Sequence, residues 1–393
     1  MDFTNLGLDQ RILDAVKKEG YVSPSPIQEQ AIPPALLGKD ILGCAQTGTG
    51  KTAAFAMPIL QRLANTQAVK QGSIRALILT PTRELALQIQ ESFRAYGKFM
   101  RLRCGLLIGG VSQKPQEEVL QKGVDILVAT PGRLLDLCNQ GLINLATVEI
   151  FVLDEADRML DMGFIHDVRR VIEKLPSKRQ TLFFTATMPP EVLKLTKAIL
   201  HNPVDIAVTP VSSTVDATSQ EVFFTDKVSK TELLIWLMKK NESMKSVLVF
   251  TKTKHGANKV SEKLTKAGID SLAIHGNKSQ GARQNALSSF KNGDIRVLVA
   301  TDIAARGIDI DDLSHVVNFD LPDVPETYVH RIGRTGRAGK TGSAIAFCDF
   351  DEKPLLADIE RLIKKKVAEA KENPYPMTVF VKSPPKQQFR GRR

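Results

Sequence analysis

The sequence of 393 residues has few cysteines and no long apolar run. Its four cysteines are scattered and form no C-x-x-C pair, which excludes a zinc ribbon and a disulfide framework and favours reduced cysteines in the core. Apolar runs such as 76–79 and 126–129 are far shorter than the roughly 20 residues of a membrane-spanning helix, and the N-terminus lacks the features of a signal peptide. We therefore expect a cytoplasmic protein without a membrane partner.

The composition is that of a folded chain with a basic surface. Hydrophobic residues make up 42% of the chain and charged residues 25%, which excludes a disordered or collagen-like protein. At roughly 150 residues per domain, the length predicts two or three domains. The formal net charge of +11 favours a polyanionic partner, although a well-solvated basic surface would give the same balance.

Short apolar runs alternate with stretches of helical spacing along most of the chain. This order predicts β-α-β units and an α/β fold with parallel sheets. The strands predicted in the first half are 40–44, 76–80, 103–108, 126–130, 150–153 and 181–185. Those predicted in the second half are 246–251, 271–274, 297–301, 315–319 and 343–347.

Four of these strands end in threonine, which indicates an internal duplication. Thr80 and Thr130 are 50 residues apart, and Thr251 and Thr301 have the same separation. Coincidence in so simple a pattern is the alternative. Because ligands gather at the carboxyl ends of strands in open parallel sheets, we expect the loops after these threonines to line one edge of each sheet.

Composition also divides the chain. Residues 201–219 combine prolines and a Ser-Ser-Thr cluster with little apolar periodicity, which favours a domain end and a linker. From residue 382 onward there are five basic residues, no acidic residue and a Pro-Pro pair, so this end forms no core. The predicted parts are a first domain over 1–206, a linker over 207–217, a second domain over 218–370 and a basic, flexible tail over 371–393.

The segment 45–52, AQTGTGKT, lies between a predicted strand and an apolar helical stretch. It ends like a P-loop, in which backbone N–H groups at a helix N-terminus surround phosphate oxygens, Lys51 reaches the terminal phosphates and Thr52 reaches Mg²⁺. Alanine replaces the first glycine of the strict pattern, but Gly48 and Gly50 still permit close backbone approach. A flexible Gly/Thr loop is the structural alternative. The candidate ATP-binding residues of this loop are Gln46, Thr47, Gly48, Thr49, Gly50, Lys51 and Thr52.

A P-loop requires an acidic partner at the end of another strand. Asp154 directly follows the strand 150–153 and is suited to hold Mg²⁺ through a water molecule. Its neighbour Glu155 is placed to orient and deprotonate the attacking water. The alternative is a charged helix start, where acidic residues complement the helix dipole. Together with the P-loop, the pair favours nucleotide hydrolysis, with Lys51 and Glu155 as catalytic residues.

Three arginines in the second half supply the positive charge that hydrolysis requires. Arg331, Arg334 and Arg337 follow one another at three-residue spacing, which predicts one helical face. If the two halves close, Arg334 and Arg337 act as arginine fingers on the transition state. A phosphate-binding or solvent-exposed helix is the alternative.

Taken in this order, the motifs resemble those of the DEAD-box RNA helicases of superfamily 2, whose name residues 154–157 spell. The similarity extends over about 3–369, and segments such as 153–170 and 275–281 look most like the bacterial RhlE-type subgroup. The resemblance implies two tandem RecA-like domains, each a parallel sheet flanked by helices, joined by a short linker. It also implies that ATP, Mg²⁺ and single-stranded RNA are the ligands.

Further ATP contacts follow from the resemblance. It implies that Tyr21 stacks on adenine, that Gln28 binds the adenine edge and that Phe3 is the accompanying upstream aromatic residue. From the residues alone, Ser25 caps a helix that begins at Pro26, and both interpretations can hold. The resemblance adds Gly307 and Asp309 to the ATP site, with Asp309 on the ribose. It also implies a set that couples hydrolysis to strand separation, Asp157, Thr185, Thr187 and His330, with Thr185 where the family usually has serine.

The resemblance implies RNA contacts in both domains. They are Pro81, Thr82, Arg83, Gly109, Gly110, Thr130, Pro131, Gly132 and Arg133 in the first domain and Thr251, Lys252, Gln280, Arg283, Thr301 and Asp302 in the second. Hydroxyls, glycine N–H groups and arginines suit the sugar-phosphate backbone, so binding is expected to depend little on base sequence. Contacts to the 2′-OH would favour RNA over DNA.

We therefore expect an RNA-stimulated ATPase that unwinds short RNA duplexes or remodels RNA–protein complexes. We also expect a monomer, with ribosome-assembly or RNA-decay factors as candidate protein partners. An ATP-gated RNA clamp with little unwinding and a DNA translocase of the same superfamily are the alternatives. The tail either adds salt-sensitive RNA affinity or only solubilises the chain.

Overall fold

A computed structural model of the chain describes residues 2–46, 48–66, 72–208, 218–305, 310, 313–336 and 342–378. Thr47, Gly307, Asp309 and Arg337, most of the predicted linker and residues 379–393 lie outside these described residues. The rest forms two compact units, one ending at residue 208 and the other starting at residue 218. Within this part of the chain, no helix combines the length and apolar character needed to span a bilayer.

The first unit is a seven-stranded parallel sheet with helices on both faces. Its strands are β1 (Ile41–Ala45), β2 (Ala76–Leu79), β3 (Cys104–Leu107), β4 (Ile126–Ala129), β5 (Ile150–Leu153), β6 (Gln180–Thr185) and β7 (Val204–Val208). The spatial order is β3-β4-β2-β5-β6-β1-β7. Its helices are Gln10–Lys18, Pro26–Leu36, Lys51–Ala64, Arg83–Tyr96, Lys114–Gln121, Pro131–Asn139, Ala156–Asp161, Ile165–Ile172 and Pro190–Ile199, with a 3₁₀ turn at Phe3–Leu6.

The second unit repeats this plan strand for strand. Its strands are β8 (Thr218–Phe224), β9 (Val247–Phe250), β10 (Ser271–Ile274), β11 (Val297–Ala300), β12 (His315–Asn318), β13 (Gly342–Cys348) and β14 (Ala368–Glu369). Their order, β10-β11-β9-β12-β13-β8-β14, is that of the first sheet, which confirms the predicted duplication and the tandem α/β fold. Its helices are Lys230–Lys240, Lys254–Lys266, Gln280–Lys291, Asp302–Ala305, Pro325–Ile332 and Lys353–Ile363, with a 3₁₀ turn at Phe350–Glu352.

The central strands of each sheet, such as β2, β4, β5, β9 and β11, are apolar throughout because both faces of the sheet are covered there. In the first unit, Ile78 and Val128 belong to the core on one face, and Leu77 and Leu127 belong to the core on the other. A strand buried on both faces has no polar alternation, which is why these runs were recognisable in the sequence.

The predicted linker over 207–217 begins too early. β7 pairs in parallel with β1, so residues 207 and 208 belong to the first sheet. In β7, Ile206 and Val208 are buried while Asp205 and Ala207 are exposed, the pattern of an edge strand covered on one face only. This short alternation was hidden among the prolines of 201–219, and β8 and β14 were likewise not among the predicted strands.

The predicted flexible tail also begins too early. The N–H of Met377 donates to the Phe224 carbonyl at 3.0 Å, and the hydroxyl of Thr225 donates to the Tyr375 carbonyl at 2.6 Å. The segment 371–378 therefore packs beside the end of β8. Hydrogen bonds to the Phe224 carbonyl and from the Thr225 hydroxyl hold this segment, and the low apolar content of the sequence there gives no sign of them.

Gly43 provides a test of how closely β1 packs against β6 in the first unit. A Cβ at this position would lie 2.6 Å from the ring of Phe184 in β6, so we expect Gly43→Ala to destabilise the first unit by about 1–3 kcal/mol through overpacking. Urea unfolding measures this change. Gly132→Ala is the control, because a Cβ there meets no atom within 4 Å and should leave stability unchanged or slightly raised. Equal stability of Gly43→Ala and the unaltered protein would contradict this packing.

Candidate functional site

The P-loop segment directly connects the end of β1 to the start of the helix Lys51–Ala64. Gly48 and Gly50 have φ angles of +79° and +89°, which residues with a side chain rarely adopt. The hydroxyl of Thr49 donates to the Gln46 carbonyl at 2.8 Å and closes the loop on itself. The backbone N–H groups at the start of the helix can therefore face an anion, as the sequence predicts.

Lys51 and Asp154 are buried at the carboxyl ends of β1 and β5. The Lys51 ammonium donates to the Ala45 carbonyl at 2.6 Å. Asp154 is 2% exposed, and its Oδ1 has no hydrogen-bond partner among the described residues. Burial raises the pKa of Asp154 to about 7, against the opposing charge of Lys51. A buried carboxylate oxygen without a partner beside a P-loop fits a divalent cation, with the Thr52 hydroxyl as second contact.

Glu155 is held in an unfavourable backbone conformation. Its φ of 55° and ψ of 50° are left-handed, and it caps the helix Ala156–Asp161 from that conformation. Its Oε2 accepts a hydrogen bond from Nη1 of Arg158 at 2.9 Å, and both side chains are buried. Such strain persists only where the surroundings impose it, and it is concentrated at functional sites. The strain and the ion pair fix the Glu155 carboxylate next to Asp154.

Three of the four predicted coupling residues, Asp157, Thr185 and Thr187, are hydrogen-bonded to one another at the carboxyl ends of β5 and β6. The Asp157 Oδ2 accepts from the backbone N–H of Thr187 at 2.9 Å and from its hydroxyl at 2.8 Å. The hydroxyl of Thr185 donates to the Thr187 carbonyl at 2.7 Å, so the hydroxyl that threonine shares with serine is in use. His330 lies in the second unit, in the last turn of the helix Pro325–Ile332.

The region around Gln28 braces the P-loop from the side. The Ser25 hydroxyl donates to the Thr49 carbonyl at 2.7 Å, and the Gln28 amide donates to the Gly50 carbonyl at 3.1 Å. The Gln28 side chain also accepts from the Ser25 N–H at 2.9 Å. Ser25 is the N-cap of Pro26–Leu36, as predicted, so the same residues start a helix and support the loop.

The two aromatic residues predicted at adenine have different environments. Tyr21 is 49% exposed, with its ring centroid 6.2 Å from that of Tyr96, and it can offer a ring face to a base. Phe3 is 4% exposed and lies in the core of the first unit. Phe3 therefore has a packing role in this structure, because the 3₁₀ turn Phe3–Leu6 directs its apolar side chain inward, and its contact with ATP stays a prediction.

The loops after β2, β3 and β4 lie side by side at the carboxyl edge of the first sheet. The N–H of Thr80 donates to the Ala129 carbonyl at 3.1 Å, and the N–H of Thr130 donates to the Leu107 carbonyl at 3.0 Å. All the RNA-contact residues predicted for this unit lie at this edge. Besides Thr130, they are Pro81, Thr82, Arg83, Gly109, Gly110, Pro131, Gly132 and Arg133.

Two arginines flank the glycine pair within this edge. A Cβ on Gly110, whose φ is +72°, would lie 2.1 Å from Nη1 of Arg83, so the guanidinium packs directly on the glycine backbone. The Nη2 of Arg133 donates to the Val111 carbonyl at 3.2 Å. Guanidinium groups and open backbone at one edge are suited to phosphate contacts.

The second unit has an equivalent edge at β9, β10 and β11. The N–H of Thr251 donates to the Ala300 carbonyl at 2.9 Å, which repeats the pattern of the first unit. Lys252 lies in the loop after β9, and Thr301 and Asp302 follow β11. Gln280 and Arg283 lie in the first turn of Gln280–Lys291 and are largely buried.

Arg331 and Arg334 of the second half do not share a helical face. The helix Pro325–Ile332 ends before Gly333, so Arg331 is helical, whereas Arg334 lies beyond the helix and is buried within its unit. This predicted geometry is wrong because Gly333 ends the helix. Arg337 lies outside the described residues.

Arg331 has a structural partner that sequence reasoning missed. Its guanidinium pairs with both carboxylate oxygens of Asp302 at 2.7 Å and donates to Oδ1 of Asn318 at 2.9 Å. Arg331 thereby fixes the position of Asp302, which is a predicted RNA-contact residue. Arg158, the partner of Glu155, was also missed, although its spacing of three residues on a helix was a usable signal.

Comparisons with protein families match both units. The sequence profile described as DEAD/DEAH box helicase matches residues 25–195, and that of the helicase conserved C-terminal domain matches residues 229–339. The RNA helicase CrhR of Synechocystis is 43% identical over 365 residues, 93% of this chain and 73% of that protein. The DEAD-box ATP-dependent RNA helicase RhpA of Helicobacter pylori is 44% identical over 343 residues, 87% of this chain and 68% of that protein.

Solved structures match over nearly the same span. S. cerevisiae Dbp5 bound to RNA and ADP BeF3 has a TM-score of 0.83 and 34% sequence identity, covering 94% of this chain and 95% of that chain. A DEAD box protein from Methanococcus jannaschii has a TM-score of 0.55 and 40% identity, covering 94% of this chain and 99% of that chain.

Gly50 allows a test of the nucleotide loop. A Cβ there would lie 2.3 Å from Nε2 of Gln28 in a left-handed backbone, so we expect Gly50→Ala to weaken ATP binding by about tenfold or more through strain and displacement of the brace. Equilibrium titration with a fluorescent ATP analogue measures this. Gly163→Ala carries a similar backbone strain at φ +79° with no atom within 4 Å, and should leave nucleotide affinity unchanged. Unaltered affinity in Gly50→Ala would refute the role of this loop.

Proposed function

The chain belongs to the DEAD-box family of ATP-dependent RNA helicases, and we propose that it hydrolyses ATP at the ends of β1 and β5 and remodels RNA held at the threonine-ended strands. The observation that carries the ATP site is the buried Asp154 carboxylate, with one oxygen unpartnered among the described residues, beside Lys51 and the strained Glu155. No other group of the described residues combines a P-loop with adjacent buried carboxylates.

The ATPase chemistry follows from these side chains. Lys51 binds the terminal phosphates, and the Thr52 hydroxyl and Asp154 hold Mg²⁺, which when bound neutralises charge on the phosphates. Glu155 orients the attacking water and accepts its proton as the water oxygen bonds to the γ-phosphorus and ADP leaves. Arg334 contributes positive charge to the transition state when ATP and RNA bring the two units together.

RNA is proposed to bind along the equivalent strand edges of the two units. The arginines packed around Gly109 and Gly110 and the loop at Lys252 supply backbone contacts without reading bases. The relative Dbp5 has been solved with RNA and ADP BeF3 bound, which supports this assignment. We further propose that the DEAD-box activity of this chain acts on single strands and short duplexes.

ATP and RNA are proposed to assist each other's binding. Asp157 joins the acidic motif to Thr187, so a change at the phosphates can be passed on to the residues after β6. If both ligands favour one closed state, each tightens the binding of the other by the same coupling free energy. RNA therefore stimulates turnover, and hydrolysis releases RNA.

The finer assignments are also proposals. We propose a cytoplasmic monomer whose protein partners belong to ribosome assembly or RNA decay. The RhlE-type subgroup stays a prediction. So do the ribose contact of Asp309 and the finger role of Arg337, because these residues lie outside the described part of the chain.

Glu155→Gln tests the proposed general base. The amide cannot accept the proton of the attacking water, so we expect RNA-stimulated turnover to fall by about 10²–10⁴-fold while ATP still binds. Steady-state phosphate release at saturating RNA measures the loss. Glu173→Gln, an exposed glutamate of the same unit, is the matched control. Hydrolysis at the unaltered rate in Glu155→Gln would remove Glu155 from the mechanism.

The coupled function is tested by ATP hydrolysis without nucleic acid, with single-stranded RNA and with matched DNA, together with separation of a short RNA duplex. We expect stimulation by RNA alone, because 2′-OH contacts distinguish the two, and separation of the duplex. Equal stimulation by DNA would favour the DNA translocase. RNA-stimulated hydrolysis with slow RNA release and no duplex separation would favour the ATP-gated clamp.

A further inference from the structure

The second unit contains a counterpart of the P-loop position. β8 has the same place in its sheet as β1, and the helix that follows it also begins with Lys-Thr, at Lys230 instead of Lys51. The connecting residues 225–229, TDKVS, contain no glycine and include an acidic residue. Without glycine, this backbone cannot turn as the loop around Gly48 and Gly50 does.

Carboxylates occupy the place where the first unit would hold phosphates. Lys230 is fully buried, and its Nζ lies 2.6 Å from Oε2 of Glu352, 3.3 Å from Oδ2 of Asp349 and 3.6 Å from Oδ1 of Asp320. Burial alone would lower the pKa of Lys230, but the surrounding carboxylates outweigh it and raise the pKa. The ammonium therefore stays charged, and the acidic groups around it would repel a phosphate.

One of these carboxylates corresponds to Asp154. The N–H of Asp154 donates to the carbonyl of Leu79, the last residue of β2, at 3.0 Å. The N–H of Asp320 donates in the same way to the carbonyl of Phe250, the last residue of β9, at 3.2 Å. Both units thus place a buried lysine and an aspartate at the edge where their ligands are expected.

We infer that Lys230 is a positioning residue for RNA binding, because it holds Asp320, which in turn holds the loop of Lys252. Asp320 uses Oδ1 toward Lys230 and accepts the backbone N–H of Lys252 on Oδ2 at 2.8 Å. The inference rests on the proposed assignment of Lys252 to RNA. Lys230 would then position the backbone of the RNA-binding loop at Lys252, whereas its counterpart Lys51 is proposed to bind nucleotide.

Other contacts of this loop are weaker restraints. The Lys252 side chain pairs with Asp323 at 2.6 Å, but both side chains are more than half exposed, and exposed pairs contribute little. The buried network is different, since removing its cation leaves several carboxylates with uncompensated charge. Asp320 would then be pushed away from its neighbours, and the backbone N–H of Lys252 would lose its fixed acceptor.

The test measures the RNA concentration that gives half-maximal ATPase stimulation by a single-stranded RNA 20-mer. We expect Lys230→Met to raise this concentration by about tenfold, with turnover at saturating RNA changed by less than about twofold. Lys230→Arg should restore most of the affinity. Glu352→Gln is the matched control, because it removes the charge of the shortest ion pair of the same network, while its amide oxygen can still accept the Leu321 N–H that Glu352 holds at 3.0 Å beside Asp320.

The outcomes separate a positioning role from a merely structural one. If Lys230→Met and Glu352→Gln raise the half-maximal RNA concentration equally, or if Lys230→Met lowers the melting temperature alone, the inference fails. Asp320→Asn should reproduce the effect of Lys230→Met, and the double variant should be no worse than either single variant. Asp320→Asn also decides the matter if Lys230→Met does not fold, since a folded Asp320→Asn protein with normal RNA affinity would overturn the inference.

Lys252→Ala distinguishes this inference from the RNA assignment beneath it. If Lys252→Ala leaves the half-maximal RNA concentration unchanged, the RNA assignment of this loop is wrong. If Lys252→Ala raises that concentration but Lys230→Met and Asp320→Asn do not, the RNA assignment stands and only the positioning role is lost.

Discussion

Charge buried at the carboxyl ends of parallel strands is the constraint on which this protein depends. A charged group removed from water is costly without a partner, and three carboxylates at these edges are each fixed in position by a cation. Glu155 is held by Arg158, Asp302 by Arg331, and Asp320 by Lys230. Asp154 differs from these three, because one of its oxygens lacks a partner among the described residues, and it is there that the proposed Mg²⁺ would bind.

The two units show how one scaffold acquires two uses. Strand order, the helix after the first strand and the Lys-Thr start of that helix are shared. The difference lies in a few residues: left-handed glycines before Lys51, and acidic side chains around Lys230. Glycine lets the backbone approach a phosphate at the first edge, whereas carboxylates line the cavity at the equivalent place in the second unit.

The sequence was sufficient for what depends on local pattern. The central strands, such as 126–130 and 150–153, were predicted to within a residue because they are buried on both faces, and Asp154 was recognisable from its place after a strand. The order of strands in the sheets was not predicted, since it depends on non-local packing. β7 was missed because it is covered on one face only.

The placement of side chains likewise depends on packing that is distant in sequence. The inward direction of Phe3 is decided by the core around it, and the separation of Arg334 from the helix is decided by the turn at Gly333. The Lys230–Glu352 pair joins residues 122 positions apart and has no local signal. Family resemblance supplied the roles of several residues, but not the contacts that hold them.

The place of β8 in its sheet has a consequence for synthesis of the chain. The strand is the first of its unit to be made, yet its partners are β13 and β14, the last two. At about 5–20 residues per second, more than 100 residues emerge before β8 can pair, a delay of roughly 5–25 s. During that time both edges of β8 are open to wrong partners, and β1 waits in the same way for β6 in the first unit, so each half of the nascent chain passes through an interval in which a chaperone would protect an unpaired strand.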